Sequence, residues 1–256
     1  MQRVLVTGAA KGIGQAVAEA FAANGASLVL LDVDGPGLET TAAVLRAKGN
    51  KVEIVVGSVA SAEDCAAAAQ RAETAFGGLD VLSHNAGIQT YGTVETTDEA
   101  LWDKTLNVNL KGAYLISRAV MPMLRLSRGS VVHMASVQGV ASQTGVTAYS
   151  VSKHGIVGLV RSMAVDYAPY GVRVNGVAPG SIDTPLLRNA VAIADDPEAV
   201  MAEIRAMHPL GRPGLPSEVA NAVVFLASAN ASFITGEVLR VDGGMRAALG
   251  GSPKKQ

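Results

Sequence analysis

Short apolar runs alternate with amphipathic stretches along almost the whole chain. Seven runs rich in Val, Leu and Ile predict buried β-strands at 4–7, 28–32, 52–56, 79–83, 130–134, 172–177 and 237–241. Between them, apolar residues three and four positions apart predict helices at about 16–24, 38–48, 62–76, 99–126, 148–167 and 218–227. We expect the fourth helix to be interrupted near Pro122. Because a helix separates consecutive strands, we predict one α/β domain, a parallel sheet with helices on both faces.

The domain is predicted to span residues 1–249, and two segments depart from the alternation. Residues 181–214 carry four prolines around a short helical pattern, which is typical of a lid inserted over a pocket at the end of a sheet. Residues 250–256 form a Gly- and Lys-containing tail that we expect to be frayed.

Composition excludes several classes of function. The 256 residues have a formal net charge of −1 and no basic stripe, so we expect no nucleic-acid partner. The single cysteine, Cys65, excludes an intrachain disulfide and is predicted to be a small core residue, and the four histidines lack zinc-type spacing, so no metal site is expected. No apolar stretch has the length of a membrane span or a signal-peptide core, which favours the cytoplasm.

A glycine-rich loop follows the first predicted strand and opens the first helix, with the sequence Thr7-Gly8-Ala9-Ala10-Lys11-Gly12-Ile13-Gly14. Glycines at this place allow a tight turn and let a pyrophosphate approach the positive end of the helix, as in a Rossmann-type, doubly wound sheet. Asp32 ends the second strand, where its carboxylate can bind the ribose hydroxyls of NAD and repel the 2′-phosphate of NADP. Lys11 leaves NADP open as the less favoured cofactor.

The stretch 136–153 carries a second candidate site. Tyr149 and Lys153 lie four residues apart, on the same face of the predicted helix. A nearby ammonium favours the ionised form of a phenol, and the Ser136 hydroxyl is placed to hold a substrate oxygen. The same spacing is also typical of a solvated helix face, and Tyr114 with Arg118 shows it without any assigned chemistry.

Over essentially its whole length the chain resembles the short-chain dehydrogenase/reductase family. The matching motifs occur in the family's order: residues 7–14, Asn85-Ala86-Gly87, Asn109, Ser136, Tyr149 with Lys153, Pro179-Gly180 with Thr184, and residues 241–244. The resemblance implies a catalytic set of Asn109, Ser136, Tyr149 and Lys153. By that analogy Tyr149 exchanges a proton with the substrate oxygen, Ser136 hydrogen-bonds it, Lys153 lowers the Tyr149 pKa and holds the nicotinamide ribose, and Asn109 helps to position a proton-relaying water.

The resemblance also implies the residues that bind the cofactor. They are Gly8, Lys11, Gly12, Ile13, Gly14, Asp32, Ser58, Val59, Asn85, Ala86, Gly87, Tyr149, Lys153, Pro179, Gly180, Ile182 and Thr184. Three positions depart from the family pattern: Ser58 stands where many members have Asp, His84 where Asn is common, and Ala135 where Ser is frequent.

The function implied is hydride transfer between a secondary alcohol and NAD. Amide and hydroxyl groups in the loops that end the strands suit a sugar or polyol, and the candidates are Gln89, Gln138, Gln143 and Ser181. The alternatives are an NADPH-dependent ketone or 3-ketoacyl reductase, a non-catalytic dinucleotide-binding protein, and a methyltransferase, which offers no role for Tyr149. The resemblance further implies a homotetramer, consistent with apolar residues on more than one face of the helix at 148–167.

Overall fold

The computed structural model describes residues 2–248, so the predicted tail lies outside the described residues. Seven parallel strands form one sheet: β1 (Arg3–Thr7), β2 (Ser27–Asp32), β3 (Val52–Val56), β4 (Val81–His84), β5 (Ser130–Met134), β6 (Arg173–Pro179) and β7 (Val238–Val241). The described helices are α1 (Gly12–Ala23), α2 (Gly35–Ala47), α3 (Ala62–Phe76), α4 (Glu99–Leu106), α5 (Gly112–Ser127), α6 (Thr147–Tyr167), α7 (Pro185–Ala192), α8 (Pro197–Met207) and α9 (Pro216–Ala227). Within the described range, no helix has both the length and the apolar character needed to cross a bilayer.

The strand order is β3-β2-β1-β4-β5-β6-β7, which confirms the predicted doubly wound sheet. The order reverses direction between β1 and β4, and in such sheets the crevice at the carboxyl ends of these strands is where ligands bind. The loops after β1, β2, β4, β5 and β6 open at this edge, and they carry most of the predicted site residues.

Two apolar layers hold the helices against the sheet. Alternate strand residues point to opposite faces, so Val4 and Val6 pack in one layer with α1 and α9, while Leu5 packs in the other with α3 and α5. Cys65 is fully buried in the second layer and donates to the Val59 carbonyl at 3.4 Å, as a core cysteine should. These layers fix the positions of the strand ends.

The predicted break near Pro122 is wrong. Pro122 lies at an exposed position inside the continuous helix α5. A proline lacks the N–H that would bond the carbonyl four residues earlier, and on an exposed helix face water can bond that carbonyl instead. The irregular turn is instead a π-helical stretch, Asn107–Lys111, between α4 and α5, closed by a bond from the Gly112 N–H to the Asn107 carbonyl.

Residues 181–214 contain two helices, α7 and α8, where one short helix was expected. Their Pro-initiated first turns and the side-chain caps Thr184 and Asp196 explain why each helix starts where it does. The ends of the segment are joined, because Gly214 N donates to the Ser181 carbonyl at 2.9 Å and Asp183 N donates to the Gly214 carbonyl at 2.8 Å. The segment therefore leaves the sheet edge and returns to it; its role as a lid stays a prediction.

Candidate active site

The glycine turn after β1 has space for backbone only. A Cβ on Gly14 would lie 2.1 Å from the Gly8 oxygen, and one on Gly8 would lie 2.9 Å from the Ala86 Cα. Gly8 and Gly12 have φ values of 67° and 63°, which favour glycine. Lys11 caps α1 without a side-chain bond, and the first turn contains no acidic residue, so the amino end of α1 presents backbone N–H groups to the crevice. Ile13 packs against the core beside them.

Two acidic residues lie at the end of β2 beside this turn: Asp32 is the last residue of the strand and Asp34 follows it. The Asp32 carboxylate accepts from Ala10 N and from Asp34 N, each at 3.0 Å, which fixes its orientation next to the glycine turn. Lys11 pairs with Asp34 at 3.5 Å, so its charge is directed toward a carboxylate of the protein. Both acids therefore contribute negative charge where the adenosine ribose was predicted to bind.

The loop after β4 is tied to the glycine turn through Thr7. Its hydroxyl accepts from the backbone N–H groups of Asn85 and Ala86, each at 3.1 Å, and the Asn85 amide donates to the Thr7 carbonyl at 3.2 Å. A Cβ on Gly87 would lie 3.2 Å from Asn109 Oδ1 and 3.7 Å from Lys153 Nζ. This loop thus connects the predicted cofactor turn to the predicted catalytic residues.

Two further loops complete the predicted cofactor edge. After β3, Ser58 N donates to Asp64 at 2.8 Å, the Ser58 hydroxyl accepts from Ala60 N at 3.2 Å, and Val59 is buried. After β6, which ends at Pro179, Gly180 N donates to the Val241 carbonyl at 3.0 Å.

The Thr184 side chain brings the loop after β6 against the glycine turn. Its Cγ2 lies 3.5 Å from the position of a Cβ on Gly12, and its hydroxyl caps α7 by accepting from Leu187 N. Ile182 is buried in the same loop. The loops after β1 and β6 therefore lie on adjacent sides of the crevice.

Ser136, Tyr149 and Lys153 converge at the carboxyl end of β5. The Ser136 hydroxyl accepts from Gln138 N at 3.1 Å and lies close enough to the Tyr149 phenol to lower its pKa in part. Lys153 lies 5.6 Å from the Tyr149 ring centroid, measured from Nζ, and donates to the Met134 carbonyl at 2.7 Å. The helix α6 holds the tyrosine and the lysine one turn apart, while β5 supplies the Met134 carbonyl and the segment after β5 supplies Ser136.

The Tyr149 pKa differs from the expectation. Burial raises the pKa of Tyr149 to about 12, the Ser136 hydrogen bond lowers it in part, and Tyr91 raises it further. Burial also lowers the pKa of Lys153 to about 8. The expected lowering of the Tyr149 pKa by Lys153 is not found, because the ammonium is directed at the Met134 carbonyl and desolvation of the phenolate dominates.

Asn109 lies fully buried in the π-helical stretch, and both the oxygen and the nitrogen of its amide bind protein groups. Its Oδ1 accepts from Ile88 N at 2.8 Å, and its Nδ2 donates to the Ile88 carbonyl at 2.9 Å and to Ser152 Oγ at 3.0 Å. The side chain therefore clamps the loop after β4 to α6. The sequence reasoning missed Ser152, which also donates to the Tyr149 carbonyl at 2.6 Å and has no signal beyond its position on α6.

The predicted substrate residues fall into two groups. Gln138 Nε2 donates to Gln143 Oε1 at 2.6 Å and Gln138 Oε1 accepts from Ser150 at 3.4 Å, so in this structure these two amides bind each other. Gln89 is partly exposed, and Ser181 uses its backbone N–H to donate to His208 Nε2 at 3.1 Å. The role of Gln89 and of the Ser181 hydroxyl in substrate binding stays a prediction.

Tyr91 is a further residue that the sequence reasoning missed. It is 58 % exposed and close enough to Tyr149 to raise the pKa of that phenol. Its neighbour Gly92 donates to the Gly145 carbonyl at 2.7 Å and accepts from Thr147 N at 3.1 Å, which joins the loop to the start of α6. Tyr91 is the one aromatic residue in the loop 88–94, and this was the sequence signal that could have identified it.

Comparison with known proteins places this geometry in a family. Residues 8–246 match the family model described as enoyl-(acyl carrier protein) reductase. The chain is also 39% identical, over 245 residues that cover 95% of it and 96% of the relative, to 2-(S)-hydroxypropyl-CoM dehydrogenase 3 of Xanthobacter autotrophicus. The chain belongs to the short-chain dehydrogenase/reductase family. Members of this family are oxidoreductases that act on alcohols and ketones with nicotinamide dinucleotide cofactors.

Other short-chain dehydrogenases/reductases are similarly close. The chain is 41% identical over 245 residues to cis-4-hydroxycyclohexanecarboxylate dehydrogenase of Sinomonas cyclohexanicum, covering 95% of this chain and 96% of that one. The ligand-free structure of Thermoplasma acidophilum aldohexose dehydrogenase superposes with a TM-score of 0.90 at 37% identity, covering 99% of this chain and 97% of that one. The whole described fold is therefore that of the family.

Proposed function

We propose that the protein is an NAD-dependent oxidoreductase that transfers a hydride between a secondary alcohol and NAD, using Asn109, Ser136, Tyr149 and Lys153. The observation that carries this proposal is the convergence of the Ser136 and Tyr149 hydroxyls at the carboxyl edge of the sheet, the edge that also carries the glycine turn, with Lys153 one helical turn from Tyr149. A lone Tyr–Lys pair on an exposed helix face would not have these neighbours.

The residues present fit a nicotinamide dinucleotide. The glycine turn is a cradle that any Cβ would fill, and the amino end of α1 supplies N–H groups for a pyrophosphate. When bound, the nicotinamide accepts or supplies the hydride. Gly87 leaves space beside Lys153 Nζ, and this supports a role for Lys153 in holding a ribose hydroxyl.

Tyr149 is the proton-transfer group in this proposal. Its raised pKa keeps the phenol protonated, ready to donate to a substrate carbonyl oxygen during reduction, while Ser136 hydrogen-bonds the same oxygen. During oxidation the phenolate must form to accept the hydroxyl proton, and the interaction with Ser136 that lowers the Tyr149 pKa in part favours it. We assign Asn109 to the proton-relay path through the main chain of the π-helical stretch, because its side chain is occupied by Ile88 and Ser152.

NAD is the proposed cofactor in preference to NADP. Asp32 and Asp34 place two carboxylates at the end of β2, and Lys11 is already paired with one of them. A 2′-phosphate close to Asp32 would be repelled by about 1–4 kcal/mol in partly screened surroundings.

For the substrate we propose a small hydroxylated molecule of the sugar or polyol type. Gln89, Tyr91 and Ser181, in the loops that follow β4 and β6, are the polar groups that we propose to meet it, and the effect of Tyr91 on the Tyr149 pKa supports this for Tyr91. The relatives named for aldohexose and for cis-4-hydroxycyclohexanecarboxylate support a polar alcohol. NADPH-dependent reduction of a ketone or 3-ketoacyl compound is the alternative, to which the description of the matching family model lends support.

Tyr149→Phe tests the proposed chemistry. We expect NAD binding to be retained and alcohol oxidation to fall at least about a hundredfold, the scale of general acid–base catalysis. Tyr114→Phe is the matched control, since Tyr114 has the same spacing to a cation but lies exposed on α5, and its activity should be unchanged.

The assay is a panel of aldoses, polyols, secondary alcohols and, in reverse, ketones and acyl thioesters with each cofactor. Unchanged oxidation by Tyr149→Phe would refute the proposal. Turnover limited to ketones or thioesters with NADPH would establish the alternative.

We also propose a cytoplasmic homotetramer. Val165 and Phe233 are 76% and 102% exposed, and Val165 lines an apolar groove of about 510 Å³ with Arg161, Ala164, Ala168, Pro169, Thr235 and Gly236. Burial of such side chains between copies would stabilise the assembly. Light scattering that gave the monomer mass in dilute solution would contradict it.

A further inference from the structure

Two buried histidines lie behind the proposed site without a role in its chemistry. His84 ends β4, and His133 lies directly opposite it on β5. They are 1% and 0% exposed, with ring centroids 5.5 Å apart and planes at 77°. Within residues 2–248, His84 Nε2 and His133 Nδ1 are buried nitrogens with no hydrogen-bond partner. Such atoms are costly to leave unpaired.

The surroundings of His84 fix which nitrogen carries its proton. Thr7 Oγ1 already accepts from Asn85 N and Ala86 N, so its own proton is left for His84 Nδ1 at 2.9 Å. Nδ1 is therefore the acceptor, and the ring proton of a neutral His84 lies on Nε2. The unpartnered nitrogen of His84 is a donor.

The surroundings of His133 likewise fix which of its nitrogens carries the proton. The Ser117 hydroxyl donates to the Ala113 carbonyl at 2.6 Å, so it presents a lone pair to His133 Nε2 at 3.3 Å. Nε2 must then carry the proton, and Nδ1 is a bare acceptor. The unpartnered nitrogen of His133 is an acceptor.

Both rings are neutral near pH 7, as this assignment requires. Burial lowers the pKa of His133 to about 4, and the charge of Lys153 acts in the same direction. Burial lowers the pKa of His84 well below 6.5, with further contributions from His133 and Lys153. Each ring therefore has one proton, and its position is set by its partner.

We propose that His84 Nε2–H and His133 Nδ1 form the two ends of one hydrogen-bonded link between β4 and β5, closed by a small ring rotation or by one internal water. Either closure pairs a buried donor with a buried acceptor. The link joins Thr7, at the glycine turn, through the two rings to Ser117 on α5.

The link acts on the proposed site through neighbouring residues. His84 precedes the Asn85–Gly87 loop, and His133 precedes Met134, whose carbonyl accepts from Lys153 Nζ. Fixing the two strand ends relative to each other sets the distance between Gly87 and Lys153. His84 and His133 are thus positioning residues, and this effect on turnover rests on the proposed function.

Asparagine and glutamine variants separate the two nitrogens of each ring. An Asn amide reaches the place of Nδ1, and a Gln amide reaches the place of Nε2. His84→Gln and His133→Asn therefore retain the group that closes the link, whereas His84→Asn and His133→Gln remove it. If only the loss of side-chain volume mattered, the larger Gln would be tolerated better than Asn at both positions.

Imidazole ¹⁵N NMR spectra provide the readout independent of activity. In the unaltered protein near pH 7 we expect both rings to be protonated at Nε2 and bare at Nδ1. In His84→Asn the ¹⁵N chemical shift of His133 Nδ1 should move to the value of a bare nitrogen that accepts no hydrogen bond. In His84→Gln it should keep the value that it has in the unaltered protein. Protonation at Nδ1 of either ring, or the same His133 shift in both variants, would overturn the link.

Turnover provides the second readout. We expect His84→Asn to lower kcat about tenfold more than His84→Gln, because small displacements of catalytic groups are costly. Equal kcat in the two variants, with the expected spectra, would overturn the positioning role and leave the proposed function intact. Failure of the proposed function itself would appear as absent turnover in the unaltered protein.

Discussion

Gly14 is the position at which one added methyl group tests the glycine turn most directly. In Gly14→Ala the new Cβ would lie 2.1 Å from the Gly8 oxygen, 2.7 Å from the Gly8 carbonyl carbon and 3.1 Å from the Thr7 oxygen. All three are backbone atoms, so no side-chain rotation relieves the contact. Since α1 is held by Val17, Ala18 and Phe21 in the core, the turn itself must move.

The displacement and its cost follow from these distances. The turn must move by about 1 Å to reach ordinary van der Waals separation. Overpacking of this kind costs about 1–3 kcal/mol, which corresponds to a fall in Tm of roughly 2–12 °C for a chain of this size. We also expect NAD affinity to fall at least about tenfold, because the moved carbonyl and N–H groups are those that would surround the pyrophosphate.

Gly35→Ala is the matched control, a glycine at the start of the next helix. Its Cβ would meet Val56 Cγ2 at 3.4 Å, an ordinary contact, so stability should change by less than about 0.5 kcal/mol. Urea unfolding and calorimetric titration with NAD measure both effects. If Gly14→Ala were as stable as Gly35→Ala and bound NAD equally well, the close-packed turn would not be the reason for the glycine.

Two further predictions concern charge. Asp32→Asn should raise the ratio of kcat/KM with NADP to that with NAD by about tenfold or more, since it removes the carboxylate expected to repel a 2′-phosphate; an unchanged ratio would count against Asp32 as the discriminating residue. His133 has a folded pKa of about 4, below its ordinary 6.5, so the unfolded chain takes up the proton first as pH falls. The stability from His133 is therefore complete above about pH 6.5 and is lost toward about pH 4, by about 3 kcal/mol at ~1.36 kcal/mol per pH unit. Urea unfolding across this range should show a shallower acid loss in His133→Asn, and identical pH dependence in both proteins would contradict the buried neutral state.

Local sequence signals were sufficient for the sheet and for the glycine turn between β1 and α1. The strands at Val52–Val56 and Ser130–Met134 and the helix at Ala62–Phe76 occur with the predicted bounds, because apolar runs, glycines and caps act on neighbouring residues. The glycine turn also lies where its spacing placed it. The order of the motifs further indicated the family.

The finer features of the site depended on contacts between residues distant in the chain. The π-helical turn at Asn109 coincides with hydrogen bonds to Ile88 and Ser152, which are 21 and 43 residues away in the chain. Local reasoning does not include such distant contacts, and it therefore put the irregular turn near Pro122. Gln138 and Gln143 were predicted from their polarity as substrate groups, but the fold turns them toward each other.

The same distinction holds for the stretch from Ser136 to Lys153. The sequence by itself determined that a phenol and an ammonium share one face of α6, because helical periodicity fixes that arrangement. Only the tertiary structure decided how these two groups hold their protons. Burial raises the Tyr149 pKa to about 12, and the Lys153 ammonium donates a hydrogen bond to the Met134 carbonyl. Likewise, strand register brought His84 opposite His133. Desolvation and hydrogen-bond partners depend on every element packed around a group, and one-dimensional spacing does not contain that information.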